Sequence, residues 1–268
     1  MSYQPTNDPP VVNVLWTGGW DSTFRIVQLS TRNVIIQPYY LMDNRNSEKY
    51  ELNAIRTISD LIRGRNTTRC TLKDVITTKV DDVVQDKETT DAYNAMRTVM
   101  KFGSQYDWLA RFSIGINNLE LTIHEGDKAL KVIETFGKVA KLHNDKTGDY
   151  FILDPAVSSP EARMIFGNFH FPLLEYSKLA MKKETDEKGF GEIMDKTWFC
   201  YFPVNDAPCG VCNPCVYTID EGMGYRFSRK ALQRYRARKS REYLRHVATK
   251  TGLIRIWRFL KSFRQSKG

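Results

Sequence analysis

Short apolar runs alternate with segments of helical periodicity along the first 190 residues, and this alternation limits the fold more than any other feature. The apolar runs predict strands, at residues 11–16, 34–42, 70–80, 119–125 and 150–154. The periodic segments predict helices, at residues 21–31, 48–64, 89–103, 105–117, 128–143 and 177–189. Strands separated by helices and short connections form a parallel sheet with helices on both faces. We therefore expect an α/β fold.

The net charge of +9 is carried by the C-terminal end of the chain. Residues 226–268 hold 15 Lys/Arg and one acidic residue, whereas residues 1–225 hold 25 Lys/Arg and 30 acidic residues. We therefore predict a mildly acidic domain over residues 1–225 and a basic helical tail over residues 226–268. The first residues lack a signal-peptide pattern, and no stretch reaches the roughly 18 apolar residues of a membrane span. The prediction for localisation is cytoplasmic.

A glycine turn follows the first predicted strand and opens the first predicted helix, in the segment TGGWDST, residues 17–23. In parallel sheets, ligands bind where strands end and such loops begin. Adjacent Gly18 and Gly19 let backbone N–H groups approach an anion, and Ser22 and Thr23 can donate hydroxyl hydrogen bonds to phosphate. The segment matches neither the Walker A motif nor G-x-G-x-x-G. The turn predicts a phosphate site, with a simple flexible corner as the alternative.

Four of the five cysteines lie within sixteen residues, as Cys200, Cys209, Cys212 and Cys215. Four thiolates in this C-x8-C-x2-C-x2-C spacing suit tetrahedral Zn²⁺ in a closed structural site. The two short spacings allow loop N–H groups to hydrogen-bond to the sulfurs, and Gly210 permits the turn. An iron–sulfur cluster is the alternative on spacing alone. The sequence predicts a zinc knuckle over residues 197–217, and Cys70 is interpreted as a core residue.

Both motifs together resemble a known superfamily. The turn is similar to the SGGxDS signature of PP-loop ATP pyrophosphatases, which have a HUP-like (adenine nucleotide alpha hydrolase-like) fold, with Thr17 in place of the usual Ser. Within that superfamily, the 7-cyano-7-deazaguanine synthases (QueC type) carry a similar C-terminal segment. Here it reads Pro172-Leu173, Ser177-Lys178, TWFCY at 197–201 and CGVCNPC at 209–215. The resemblance covers about residues 11–217.

The resemblance implies a ligase that cleaves ATP, with Mg²⁺, to AMP and diphosphate while activating a carboxylate. ATP phosphates would bind at the turn residues Thr17, Gly18, Gly19, Asp21, Ser22 and Thr23. Asp21, Ser22 and Lys178 would be catalytic, with Lys178 a phosphate contact or, alternatively, a solvated lysine. Asp43, after the second strand, would contact the nucleotide or substrate. The family's four cysteines bind zinc, which favours zinc over iron–sulfur at Cys200, Cys209, Cys212 and Cys215.

The residues that read deazaguanine in that family are missing from this chain. The Gln of the second-strand segment is absent after Asp43, and the Gly-Arg-Asn turn reads Gly103-Ser104-Gln105. The substrate segment after the next strand is replaced by residues 124–127, and Thr218 stands where the family has Arg. We therefore expect the same activation chemistry on a different small-molecule carboxylate, followed by amide or nitrile formation with ammonia or an amine. His124 and Glu125 are candidates for substrate contact or proton transfer, or are structural.

Three alternatives remain for the function. They are genuine 7-cyano-7-deazaguanine synthesis for queuosine biosynthesis, RNA modification by a PP-loop enzyme, and a non-catalytic ATP-binding partner protein. The tail predicts two helices, at residues 227–250 and 253–265, the second amphipathic and basic. Its partner is expected to be the body of the protein, a second subunit in a homodimer or another protein, ahead of an anionic membrane surface or RNA.

Overall fold

A computed structural model describes residues 8–250 and divides the chain into two compact units, Met1–Trp198 and Phe199–Gly268. The predicted second helix of the tail, residues 253–265, lies outside the described residues. The sequence prediction placed a boundary at residue 225, whereas in the structure the cysteine segment from Phe199 onward belongs to the same unit as the tail. Among the described residues, no helix combines the length and the apolar character needed to cross a bilayer.

The first unit is built on a parallel sheet, as the alternation of the sequence predicts. Its strand order is β3-β2-β1-β5-β8, with β4 pairing β2 beyond β3. The strands are β1 Val11–Leu15, β2 Ile35–Met42, β3 Thr71–Leu72, β4 Ile76–Lys79, β5 Leu119–Glu120 and β8 Phe169–His170. Two further strands, β6 Val139–Asn144 and β7 Gly148–Leu153, form a separate antiparallel hairpin.

Eight helices of the described first unit connect and cover these strands. They are α1 Trp20–Ser30, α2 Glu48–Arg63, α3 Lys87–Val99, α4 Gln105–Ser113, α5 Lys128–Phe136, α6 Pro160–Phe166, α7 Lys178–Glu187 and α8 Gly191–Met194. Alternate β1 residues enter different cores: Val14 packs with residues of α1, α2, α7 and α8, and Leu15 with residues of α3 to α6. The helices therefore cover both faces of the sheet, so the α/β prediction is confirmed.

Several predicted elements differ from the structure. The helix predicted over 105–117 ends at Ser113, the strand predicted over 70–80 is divided into β3 and β4, and the strand predicted over 150–154 belongs to the antiparallel hairpin. The helix predicted over residues 128–143 ends at Phe136, because extended backbone at Gly137 stops it and residues 139–144 enter the hairpin instead. The strand predicted over 119–125 is limited to Leu119–Glu120, and the chain then leaves the sheet as a loop. Helix α6 and strand β8 were not predicted.

The second unit consists of the cysteine segment and two helices among its described residues. Helix α9 Asn213–Asp220 begins between the last two cysteines, and α10 Arg229–Lys250 follows a 3-10 turn at Gly224–Arg226. The Phe199 and Phe227 rings pack 5.4 Å apart, and the Arg226 guanidinium lies 4.7 Å from the centre of the Phe199 ring. The first helix predicted in the tail, 227–250, is confirmed.

Candidate functional site: a glycine turn and a four-cysteine cluster

The glycine turn lies at the carboxyl end of β1, the middle strand of the sheet order. Gly18 has φ +68°, a conformation that L side chains rarely adopt. A Cβ atom at Gly18 would lie 2.7 Å from the carbonyl oxygen of Glu51 and 3.3 Å from Ile55. The peptide N–H of Trp198 donates to the Gly18 carbonyl at 2.8 Å. Both the backbone angle and the close approach of α2 therefore require glycine here.

Helix α1 begins at this turn without a side-chain cap. Gly19 is the N-cap in extended conformation, and the first intrahelical bond runs from the Thr23 N–H to the Gly19 carbonyl at 3.0 Å. The N–H groups of the first turn precede that bond and point out of the helix end, where its dipole is positive. This end of α1 is suited to bind an anion.

The hydroxyl side chains of the turn have two different positions. Thr17 Oγ1 lies 3.2 Å from Ser22 Oγ, which also accepts from the Thr17 N–H at 3.3 Å, so these two face the loop together. Thr23 is fully buried, and its Oγ1 accepts a hydrogen bond from the Trp16 indole N–H at 3.0 Å. The structure thus brings Thr17 and Ser22 together at the turn and places Thr23 beneath it.

Asp21 is a carboxylate in a partly enclosed position. Its side chain is 29% exposed, and its Oδ1 is buried without a hydrogen-bond partner. Burial raises the pKa of Asp21, and electrostatic interaction with Lys178 and then with His124 opposes that effect. Lys178 is the first residue of α7, whose N-cap Ser177 accepts from the Ala180 N–H at 3.1 Å. Two sites predicted far apart in sequence, Asp21 and Lys178, therefore influence each other electrostatically.

His124 also faces Asp21, from the loop after β5. Its Nδ1 accepts a hydrogen bond from the Gly126 N–H at 3.0 Å, so the neutral ring carries its proton on Nε2. That Nε2 lies 4.0 Å from Asp21 Oδ2. Glu125 is exposed, with its backbone N–H bonded to the Tyr176 carbonyl at 3.2 Å. Of the predicted His-Glu pair, the structure places only His124 beside the turn.

The loop after β2 forms a second group of polar residues beside the turn, because β2 runs parallel to β1 and hydrogen-bonds to it. Asp43 lies one residue beyond β2, and its Oδ1 is 3.4 Å from Arg45 Nε. Arg45 also pairs with Glu51 at 3.0 Å, and Glu51 accepts from the Tyr40 hydroxyl at 2.8 Å. This network connects the loop after β2 to Glu51 in the first turn of α2.

Buried polar atoms without hydrogen-bond partners are concentrated at the start of α1 and in the loop after β2. In the part of the chain that the structure describes, five buried side-chain atoms lack a hydrogen-bond partner. Four of them lie in the first turn of α1, as Trp20 Nε1 and Asp21 Oδ1, or in the loop between β2 and α2, as Arg45 Nε and Ser47 Oγ. Arg45 Nε has the Asp43 carboxylate as an ion-pair partner at 3.4 Å but no hydrogen bond. Buried polar groups of a native protein are normally satisfied, so such a concentration indicates that a ligand, ion or water supplies the missing partners.

Ser47 and Arg45 were not predicted from the sequence. Ser47 is 1% exposed and precedes α2 as its N-cap, yet its side chain makes no capping hydrogen bond. A serine immediately before an amphipathic helix is ordinarily interpreted as a cap, so the sequence gives no sign that its hydroxyl is buried without a partner. The side chain of Arg45 is visible in the sequence, but its pairing with Glu51 depends on the fold.

The four predicted cysteine ligands meet in one buried cluster. Their sulfurs all lie within 4.8 Å of one another, with Cys209–Cys215 at 3.8 Å and Cys200–Cys212 at 3.9 Å. A tetrahedron with metal–sulfur bonds of about 2.3 Å has sulfur–sulfur edges of about 3.8 Å. In an iron–sulfur cluster the four thiolates are divided among two or four irons, which separates thiolates on different irons further. The cluster could therefore hold a single metal ion such as zinc.

Backbone N–H groups surround the cysteine sulfurs, as the short spacings predict. Cys209 N–H donates to Cys200 Sγ at 3.2 Å, and the Val211 and Cys212 N–H groups donate to Cys209 Sγ at 3.3 and 3.2 Å. Gly210 has φ +77°, which confirms that it permits the turn. Hydrogen bonding with Cys200 and Cys215 lowers the pKa of the Cys212 thiol. The N–H groups favour the thiolate form of Cys200 and Cys209, and the lowered pKa favours that of Cys212; thiolate is the form that binds metal.

The structure is therefore an α/β protein with a glycine turn at the carboxyl end of β1 and a buried cluster of four cysteines. No protein-family model matches the sequence, and no match was found among curated proteins.

Proposed function

We propose that this protein activates a small-molecule carboxylate with ATP and then joins the acid to ammonia or an amine. ATP and the acid would give an acyl adenylate and diphosphate; attack by the nitrogen donor would release AMP and leave an amide. Where ammonia is the donor, activation of the primary amide oxygen by a second ATP would release diphosphate and then AMP and leave a nitrile. This is the chemistry of PP-loop enzymes of the 7-cyano-7-deazaguanine synthase type, applied to a different acid.

The observation that carries the proposal is the uncapped start of α1 together with the unpartnered buried polar atoms in its first turn and in the loop after β2. A triphosphate bound there would accept from the N–H groups of the Gly18–Gly19 turn and from the Thr17 and Ser22 hydroxyls. Thr23, with its hydroxyl held by Trp16, would support the turn from below. Asp21 would hold Mg²⁺, since an enclosed carboxylate oxygen without a partner suits a hard cation.

Lys178 and Asp43 have separate parts in the proposal. Negative charge accumulates on diphosphate as it leaves, and a lysine at the start of α7 would stabilise that charge together with the helix dipole. Asp43, at the carboxyl end of β2, would contact the nucleotide or the acid. His124, whose Nε2–H faces Asp21, would orient that carboxylate. Cys200, Cys209, Cys212 and Cys215 would hold one zinc ion in a structural role, because four protein ligands leave no position for substrate.

Isotope exchange between diphosphate and ATP tests the proposal on the full-length protein. We expect exchange that depends on an added carboxylic acid and Mg²⁺, with AMP as the nucleotide product. Formation of ADP, or no exchange with any acid in a broad panel, would contradict it. The same assay separates the alternatives: exchange with 7-carboxy-7-deazaguanine indicates the synthase reaction itself, dependence on RNA indicates RNA modification, and tight ATP binding without exchange indicates a non-catalytic partner protein.

A further inference from the structure

Helix α10 contacts the cysteine turn, defined here as residues 209–213, through two arginine side chains. Arg234 Nε donates to the Cys209 carbonyl at 2.7 Å. One terminal nitrogen of Arg238 donates to the Val211 carbonyl, and the other donates to Asn213 Oδ1 at 3.2 Å. These arginines therefore bind the backbone between the metal-type cysteines.

The backbone of α10 also lies directly against the cysteine turn. A Cβ atom at Gly210 would be 2.3 Å from the carbonyl oxygen of Ala231, and Ala231 is fully buried. One turn and two turns further along α10, Tyr235 and Lys239 bond to Asp220 at the end of α9, Lys239 at 2.7 Å. The first half of α10 is thus fixed along its length to the cysteine turn and to α9.

The charges of the cysteine cluster and of the two arginines are complementary. Four thiolates around one divalent ion carry a net charge of −2, which two adjacent guanidinium groups offset. Helix α10 itself has little apolar surface to bury: Tyr243 and Leu244 are exposed, and nine of its 22 residues are Lys or Arg. A helix of this composition depends on tertiary contacts for its stability.

We infer that α10 is a component of the metal centre: Arg234 and Arg238 position the cysteine turn and neutralise the metal–thiolate charge, and the bound metal in turn keeps α10 in place. This rests on the zinc site of the proposed function and is independent of the ATP chemistry. The basic helix is then a structural partner of the cysteine cluster, and loss of the metal would release it.

Release of zinc from the full-length, zinc-loaded protein to a coloured chelator tests the positioning role. We expect the double variant Arg234→Gln/Arg238→Gln to release zinc at least tenfold faster than wild type. The matched control is Arg229→Gln/Arg236→Gln, two exposed arginines of α10 for which the described residues show no contact with the cysteine turn. The control should release zinc at the wild-type rate. Arg238→Lys, which keeps the charge, should recover part of the loss.

Hydrogen exchange of the wild-type protein tests the reverse coupling and needs no variant. Removing zinc should abolish amide protection in α10 while peptides from α2 keep theirs. Added salt should accelerate zinc release from wild type more than from the double variant, since salt screens the offsetting charges. Equal α10 protection with and without zinc, wild-type release from the double variant, or absence of stoichiometric zinc would overturn the inference. ATP–diphosphate exchange, measured on the same samples, reports separately on the proposed function.

Discussion

Single residues determine the geometry of the turn after β1, and Gly18 shows this most directly. Its positive φ requires glycine for conformational reasons, and the carbonyl oxygen of Glu51 occupies the space that a side chain would need. A substitution therefore meets two separate obstacles, one in the backbone of the turn and one in the first turn of α2. The two can be separated by comparison with another glycine.

Gly18→Ala should abolish acid-dependent ATP–diphosphate exchange and destabilise the protein. The positive φ alone costs an alanine about 1–2 kcal/mol, and the contact with Glu51 adds to that cost. Gly115→Ala is the matched control, because Gly115 has φ +88° with nothing within 4 Å of its Cβ position. Urea unfolding and exchange assays of both variants measure the difference. Similar behaviour of the two variants would show that the Glu51 contact is unimportant.

Asp21→Asn should separate function from stability. Burial raises the pKa of Asp21 above its ordinary value of 3.8, so the fold favours the neutral carboxyl. Stability from such a group is present below its unfolded pKa and is lost as pH rises through its folded pKa. The variant should therefore be more stable than wild type at pH 7, with the difference vanishing below about pH 3.8. Exchange should fall by about 10²-fold, as when one electrostatic partner is removed.

Urea unfolding of Asp21→Asn and wild type at pH 7 and pH 3.5 measures the change in stability. His143→Asn is a suitable control, because that histidine is exposed on the hairpin and bonds to Asp149 outside the turn. A lower stability of Asp21→Asn at pH 7 would mean that the ionised carboxylate contributes to folding. In that case its burial would not be a cost accepted for ligand binding.

The sequence was sufficient to identify the turn and the four cysteines, because both are local patterns whose spacing carries the chemistry. The position of Thr23 beneath the turn was not predictable, since it depends on the Trp16 indole filling the space behind it. It was also not predictable that the loop with Arg45 and Ser47 follows a strand adjacent to β1, since this depends on the pairing of β1 with β2. Spacing along the chain reports neighbours within a loop, whereas neighbours across a sheet require the topology.

Between elements, a buried ion pair joins α1 to β5. Arg25 donates from Nε and NH2 to the two Glu120 oxygens at 2.7 and 2.6 Å, and both side chains are about 5% exposed or less. Arg25 also donates to the Thr147 carbonyl at the hairpin between β6 and β7. One arginine thus connects a helix, a central strand and the hairpin.

Glu120→Gln should destabilise the protein by about 3–5 kcal/mol, because it leaves the Arg25 charge buried without a counter-ion. Replacing both partners by apolar residues, as Arg25→Met/Glu120→Leu, should cost much less, since no charge then remains buried. Urea unfolding gives both values. Lys87→Ala, which removes an exposed i,i+4 pair with Asp91, serves as the control and should leave the midpoint unchanged. Equal losses in the single and double replacements would indicate packing rather than charge.

At this scale the long, regular helices were predictable, whereas the exact lengths of the short strands and the strand β8 were not. Helix α2 follows its apolar spacing from Glu48 to Arg63. Residues 139–143 continue a helical spacing of apolar positions, but Gly137 and the turn at Gly148, with φ +88°, make them a hairpin strand. Strands of two residues, such as β3 and β8, are held by pairing with their neighbours and have no periodicity of their own.

The whole molecule divides its charge unevenly between two compact units. Residues 1–198 hold 25 Lys/Arg and 27 acidic residues, whereas residues 199–268 hold 15 and four. The unit with the glycine turn is therefore nearly neutral, and the unit with the cysteine cluster is strongly basic. Each unit has its own candidate ligand, which makes their stabilities separable.

Heating the protein in a calorimeter should show two transitions with different ligand dependence. ATP with Mg²⁺ should raise the transition temperature of the first unit. Binding adds up to about 2.7 kcal/mol to the free energy of unfolding of that unit when free ATP is at about a hundred times its Kd. A zinc chelator should lower the transition of the second unit and leave the first in place. Hydrogen exchange on each side of residue 198 assigns the transitions. A single transition that moves with both ligands would show that the units unfold together.

The missing side chain at Gly18 has a mechanical consequence. With the Glu51 carbonyl occupying its place, the turn after β1 and the first turn of α2 touch backbone to backbone, with little compressible material between them. A nucleotide that pushes the first loop outward must tilt the start of α2 by a similar amount, and Asp43 and Arg45 would move with it. A ligand bound at the turn after β1 would then displace the loop after β2.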